Sequence, residues 1–444
     1  MALPPGPTAP AAWQMLQFTY RPVEFLDECL AKYGDPFTVR MPGAGAFVSV
    51  TAPELIKQVF AGDPDLMHAG EANVVLEPVV GKNSLLLLDG KPHARHRNLL
   101  LPPLHGERMR QYATLMVEAT RRELSGMPEG KPFSLHPHMQ AVTLDVILRA
   151  VFGLETGEQM NKLRNSLMVF LELPPALVTF IPVKYLDFPL SPFRSFMARK
   201  AAVDKELMAM VAARRASADA SRGDVLSLLL AARDEQGQPL SDSELRDELV
   251  TMLLAGHETT ATALSWAFAN ILSHPEVAQR LQLEVETARG EGGALDVGAV
   301  PKLEYLDAVI KESLRLRPIV PDVVRKLTRP TTVAGHEIPA GAALMPTISL
   351  AHRRAESWPE PLRFNPDRFV GAKVDPNAWL PFGGGVRRCI GFAFALYEMK
   401  IVLAQLLLGA RLELASKTLP RVVRRSITLA PEGGTRVVLT RRAA

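Results

Sequence analysis

Cysteine is nearly absent: 444 residues hold two, Cys29 and Cys389. That excludes a zinc knuckle or a multi-disulfide framework, and it suits a reducing cytosol. Charge of one sign is also lacking. Fifty-one basic and 47 acidic residues leave a net charge of only +4, with no basic block and therefore no nucleic-acid footprint. The N-terminus, MALPPGPTAPAAWQ, has no basic stretch followed by an apolar one, so neither signal peptide nor anchor is expected. No internal repeat or low-complexity linker interrupts the chain.

One long hydrophobic run is present. Between Val250 and Ser273 only His257 and Glu258 are ionisable, and such a stretch could span a bilayer by length. "SDSE" at Ser241–Glu244 reads as a capping box, however, and charged turns precede the apolar part. Pro275 stops the pattern, which predicts a helix over 242–273, about 48 Å long at 1.5 Å per residue. A helix apolar on all sides in a soluble chain is a core helix.

Around it the pattern predicts two strands and a helix over 35–60. Helices follow over 113–125, 140–152, 157–171 and 196–218. Past Pro318 come turn residues and β-rich runs, a helix over 392–408, and a terminal hairpin in "RSITLAPEGGTRVVLT". The fold class is mainly α with a small β part, read as one domain over 1–444 in which 1–33 form an extension and first helix.

Cys389 lies in "PFGGGVRRCIGFA", a Gly-rich loop that runs into a helix. A helix N-terminus, with Arg387 and Arg388 beside it, would lower a thiol pKa toward thiolate. The glycines would let the backbone pass a flat, bulky ligand, which suggests axial coordination of haem iron. The local pattern is equally compatible with a buried structural cysteine. Cys29, in the amphipathic "EFLDECLAKYG", reads as structural.

Phe382-Gly-Gly-Gly385-Val-Arg387-Arg-Cys389-Ile-Gly391 resembles the haem-binding loop of the cytochrome P450 monooxygenases at each fixed position. "AGHETT" (Ala255–Thr260), "ESLRLRP" (Glu312–Pro318) and "FNPDRF" (Phe364–Phe369) resemble three further family motifs in the family's order. The resemblance implies the P450 fold, with a long central helix crossing a haem b (iron protoporphyrin IX) that is buried over the Cys-bearing loop. Cys389 would be the axial thiolate, with Phe382 and Gly391 in the cofactor loop and Ala255 facing the haem. Glu258 and Thr259 would be the acid–alcohol pair delivering protons. His93, Arg97, Arg325 and Arg387 would meet the propionates. Glu312, Arg315 and Arg368 would form a structural triad locking the loop before Cys389.

Nearby residues read more plainly. His257 is a satisfied core histidine, Thr260 packs, and Gly256 gives a small ligand room to approach. Thr259 can bond a carbonyl one turn back and open a local bulge. The substrate pocket is expected along 72–88, 169–193, the long helix, 319–324 and 427–429. Leu76, Val79, Ala255, Thr259, Ile319, Val320, Val323, Ile427 and Thr428 line it. These segments are apolar and suit a fatty acid, terpenoid or steroid. Lys184 or Arg194 could meet a carboxylate, although a surface position fits each as well, and the Pro-rich 180–192 stretch could be a lid or brush a membrane.

With no fused reductase expected, a separate ferredoxin or flavodoxin and its reductase would relay electrons from NAD(P)H. Such a partner would dock on a basic face of Arg388, Lys91 and Arg95. The expected protein is a monomeric, cytoplasmic monooxygenase using O2. The alternatives are a peroxide-dependent haem-thiolate enzyme, or a non-enzymatic haem sensor that would need neither Glu258 nor Thr259.

Overall fold

A computed structural model describes residues 3–106, 108–154, 157–171, 188, 191–217 and 223–441. Helices α1 (Ala11–Tyr20) and α2 (Glu24–Tyr33) precede the strands β1 (Phe37–Met41) and β2 (Gly45–Val50), then α3 (Pro53–Phe60), β3 (Met67–His68) and α4 (Glu77–Val80). The helical part follows with α5 (Gly90–Leu100), α6 (Arg108–Gly126), α7 (His136–Phe152), α8 (Glu158–Leu171), α9 (Pro192–Ser217), α10 (Val225–Ala231), α11 (Asp242–Leu272), α12 (Pro275–Glu286) and α13 (Glu304–Leu316). Strand β4 (Phe133–Ser134) lies between α6 and α7. Four short strands come next: β5 (Arg325–Leu327), β6 (Thr331–Val333), β7 (His336–Ile338) and β8 (Ala343–Pro346). The chain ends with α14 (Ile348–Ala351), α15 (Phe392–Gly409), β9 (Ala410–Leu414), β10 (Val422–Arg425), β11 (Thr428–Pro431) and β12 (Arg436–Arg441).

The capping box forms as its sequence predicts. Ser241 Oγ accepts the Glu244 N–H at 3.3 Å, and Glu244 Oε2 accepts the Ser241 N–H at 2.7 Å. From there α11 runs 31 residues, about 46 Å, through the helical core. Leu264, Trp266, Ala267 and Phe268 on it are fully buried, so its apolarity is that of a core helix. The other long apolar helix, α15, buries Met399–Leu408 against the same core and presents its N-terminus behind Cys389. Pro275 does not merely stop α11: it occupies the first turn of α12, where its missing N–H costs nothing.

The β part is a mixed five-stranded sheet in the order β1-β2-β8-β5-β3. Only the β2–β8 pair is parallel, with Phe47 opposite Ala343. The expected terminal hairpin does not form as one unit. β11 pairs back onto β10, while β12 joins β9 and β4 in a separate sheet. The turn between β10 and β11 therefore carries Ser426 and Ile427, with Ser426 in the left-handed region (φ 55°).

Candidate active site

The loop bearing Cys389 is closed by its own backbone, the Cys389 N–H donating to Phe382 O at 2.9 Å. The glycines are needed, but not where flatness of a ligand would put them. A Cβ on Gly384 would fall 2.3 Å from the Phe60 ring, and one on Gly385 (φ 63°) would fall 2.1 Å from Phe60 O. These two let the loop press onto α3. Gly391 differs: nothing lies within 4 Å of where its Cβ would be, and it borders a cavity of about 2000 Å³. Cys389 opens onto that cavity and has no disulfide partner. Burial pushes the Cys389 thiol up, outweighing the Gly391 N–H and the charges of Arg97 and Arg388, which pull it down as the helix end predicts.

Behind the loop stands the predicted triad. Arg315 Nε and Nη2 donate to the two Glu312 oxygens at 2.7 and 2.8 Å, and Arg368 Nε donates to Glu312 Oε1 at 3.1 Å. Glu312 and Arg315 are wholly buried, and the spare guanidinium N–H groups of Arg315 reach the carbonyls of His352, Pro361 and Arg363. His352 carries the connection onward. Its ring bonds Arg315 O at 3.0 Å through Nδ1 and accepts the Leu380 N–H at 2.7 Å on Nε2. Leu380 is two residues before Phe382. Burial holds His352 down to about 3, so the ring is neutral, as its two bonds require.

Cations ring one side of the cavity. His93, Arg97, Arg325 and Arg387 all line it. Arg387 is already engaged, salt-bridged to Asp89 and bonded to the carbonyls of Leu88 and Leu85, the latter at 3.1 Å. Asp89 in turn accepts the backbone N–H groups of Ala69, Gly70 and Glu71. Arg325 bonds only the neighbouring Val324 O, at 2.9 Å, and burial with the nearby Arg387 charge brings it down to about 10. Arg97 makes no side-chain hydrogen bond among the described residues, and burial lowers it as well. Burial, then Arg387 and Arg97, hold His93 neutral at about 4.

On the other side runs α11. Thr259 Oγ1 donates to Ala255 O at 2.6 Å, the predicted bond, yet the helix continues without interruption and no bulge opens. Glu258 lines the cavity and is heavily partnered. Gln140 Nε2 donates to it at 2.6 Å, and His136 Nε2 and Arg425 Nη1 each lie 3.4 Å away. Burial alone would raise the Glu258 carboxyl, but His136, Arg425 and Gln140 together take it below its usual range. His257 is the satisfied core histidine expected, bonded to Thr143 and held neutral at about 4 by burial. Thr260 is buried. Gly256 serves packing: a Cβ there would sit 2.5 Å from Ile147 Cδ1 on α7.

Leu76, Val79, Ala255, Thr259, Ile319, Val320, Val323, Ile427 and Thr428 line the same cavity. So does Phe382, and the structure brings every predicted cofactor and pocket residue together there. Lys184 and most of the expected lid over 180–192, residues 180–187 and 189–190, lie outside the described residues, as do 172–179 of the expected pocket wall. Arg95 is not free to dock a partner: it is bonded to Asp234 at 2.5 Å and Glu244 at 2.9 Å, between α5 and α11. Lys91 and Arg388 remain exposed.

The sequence profile of the family described as Cytochrome P450 matches residues 3–436. The chain belongs to the cytochrome P450 family. A Mycobacterium tuberculosis relative named cytochrome P450 135B1 is 39% identical over 440 residues, covering 98% of this chain and 91% of that protein. The solved structure of a cyanobacterial P450 with retinoic acid bound, CYP120A1, overlays with a TM-score of 0.86 at 25% identity, covering 99% of this chain and all of that one. A cytochrome P450DA haem domain shares the fold with a TM-score of 0.87 at 23% identity, covering 99% and 98% of the two chains.

P450s are haem-thiolate monooxygenases, with haem b held by a cysteine, and the residues of this P450 fit that group. Cys389 faces the cavity unpaired, Gly391 leaves open space beside it, and Arg97 offers a desolvated guanidinium without a hydrogen-bond partner among the described residues. The cavity is about twice the upper end of the usual range of roughly 300–1,000 Å³ for a ligand pocket, which leaves room for macrocycle and substrate together. A thiol raised by burial is deprotonated outright when it coordinates a metal, so iron supplies what the helix end does not. Sequence reasoning missed His352, Asp89, Gln140 and Arg425, because their partners lie on elements far away in the chain.

Proposed function

We propose that this P450 inserts one oxygen atom from O2 into a C–H or C=C bond of an elongated, mainly apolar molecule of the fatty-acid, terpenoid or steroid class. Electrons would come from NAD(P)H through a separate ferredoxin or flavodoxin and its reductase. One observation carries the substrate class: the cavity above Cys389 is walled by Leu76, Val79, Ile319, Val320, Val323 and Ile427. The retinoic acid in the cyanobacterial relative, a long apolar terpenoid, supports the same class.

Bound haem iron would supply the oxygen activation, with Cys389 as its ligand. Arg97, Arg325, His93 and Arg387 would orient the propionates, Arg97 first because nothing else engages it. Thr259 presents a hydroxyl at the cavity wall, fixed by Ala255 O. Glu258, ionised beside His136 and Arg425, would take up protons one residue earlier and pass them to Thr259, and Arg425, whose side chain is 52% exposed, marks where the site approaches solvent. The apolar walls exclude water from the reacting carbon. The basic face for an acidic partner would centre on Arg388 and Lys91, so turnover would slow with rising salt.

The deciding experiment is the spectrum of the reduced, carbon monoxide-bound protein, followed by turnover with O2 and electron donors or with peroxide alone. A strongly red-shifted Soret band that Cys389→Ala abolishes, with turnover requiring O2 and donors, is expected. A band of histidine-type ligation, or turnover only with peroxide, overturns the reading.

A further inference from the structure

Beside Val320 and Val323 the apolar wall of the cavity is broken by a buried ion pair. Asp322, between Val320 and Val323 on the stretch after α13, and Arg424, on β10, both line the cavity. Asp322 Oδ2 and Arg424 Nη2 are 3.6 Å apart, too long for a hydrogen bond, and neither atom has a hydrogen-bond partner among the described residues. Arg424 is the immobile member. Its Nε donates to Phe18 O at 3.2 Å, its guanidinium lies 4.2 Å from the centroid of the Phe18 ring, and its side chain is only 2% exposed. Asp322 is the more open member: Oδ2 is buried against Arg424, 14% of the side chain is exposed, and the residue lines the cavity, which leaves Oδ1 as the oxygen a ligand could reach.

A purely structural pair would close to a short, bidentate contact, because each buried ion otherwise loses its hydration uncompensated. This one does not close. Burial raises the Asp322 carboxyl and lowers the Arg424 guanidinium, and each offsets only part of the other's shift. Among the described residues Asp322 Oδ2 lacks a hydrogen-bond donor.

We propose that Asp322, charge-balanced by Arg424, is the polar anchor of the substrate cavity and accepts a hydrogen bond from the hydroxyl group of an otherwise apolar substrate. Among polar groups an alcohol fits best. A substrate carboxylate would face the Asp322 charge, an ammonium would add a cation to a pair already neutral overall, and a ketone has no proton to give. The substrate class is thereby narrowed to apolar alcohols, an inference that rests on the apolar-substrate reading above.

Equilibrium dialysis of the haem-loaded enzyme against dodecanol, dodecane and dodecanoic acid tests it. Dodecanol is expected to bind at least about tenfold more tightly than the other two, the usual worth of a hydrogen bond to a charged group. In Asp322→Leu/Arg424→Met, an apolar replacement of the whole pair, that preference should vanish while dodecane binds as before. Asp322→Asn, which keeps shape and a weaker acceptor, should retain only a few-fold preference, and the carbon monoxide band reports the folding of each variant. Equal binding of alcohol and alkane, or a preference that survives the double substitution, overturns the anchor and leaves the apolar reading standing. Binding of none of the three overturns both.

Discussion

His352 accepts the Leu380 N–H on Nε2 at 2.7 Å while its Nδ1 bonds the carbonyl of Arg315 at 3.0 Å. One neutral imidazole thus joins the Glu312–Arg315 pair to the segment entering the Cys389 loop. Protonation would turn its Nε2 from acceptor to donor and break the Leu380 bond.

The pH consequence follows from three buried histidines. His352 is held at about 3, and His93 and His257 at about 4, against about 6.5 in an unfolded chain. Between about pH 4 and 6.5 the unfolded state binds more protons, so stability is present above pH 6.5 and falls on acidification. Each histidine contributes up to about 1.4 kcal/mol per pH unit. Above pH 6.5 His96 acts oppositely, since Glu248 and Glu244 raise it despite its burial, and its share is lost as pH rises. Denaturant melts from pH 4 to 8 should show a maximum near pH 6.5. His352→Gln should flatten the acid limb, and an unchanged limb would rule out His352 as a contributor.

Breaking the pair behind the loop should be severe. Arg315→Met leaves Glu312 buried with the Arg368 side chain and the Asn365 N–H, and loss of one partner of a buried pair costs about 3–5 kcal/mol. The expected outcome is little folded holoprotein, read as the yield of the red-shifted carbon monoxide band. A normal yield would show that the loop is held without the pair.

Thr259→Ala should bind substrate normally but divert reducing equivalents to hydrogen peroxide, several-fold more per NADPH consumed. Glu258→Gln should slow turnover by about a hundredfold, the usual contribution of a positioned acid–base group. Peroxide yield and turnover measured at saturating substrate check both. If product per NADPH is unchanged in Thr259→Ala, that hydroxyl lies outside the proton route.

Much of the site was legible because it is carried by local patterns: the loop Phe382–Gly391, the Glu312/Arg315 spacing, and the capping box that starts the long helix. What the sequence hid were long-range relationships. Glu258 is surrounded by Gln140 and His136 from α7 and Arg425 from β10, and no local pattern announces such partners. Gly256 looked like space for a ligand, and it lines the cavity, but its lack of a side chain is also required by Ile147 on α7. Arg95 looked like a docking charge, yet Asp234 and Glu244 consume it. The desolvation that opposes ionisation of the Cys389 thiol is not visible in sequence, whereas the helix end that favours it is.

The bond between Arg387 and Asp89 joins residues 298 positions apart, and Ser49 meets Thr347 at 2.6 Å across the same separation. The cation-bearing side of the cofactor chamber is therefore assembled from segments far apart in the chain, and loop closure over such distances is slow. A nascent chain cannot cradle its prosthetic group until the last elements have docked on the first. Capture of the pigment then becomes the closing event of folding, and its binding energy pulls the whole equilibrium toward the finished molecule.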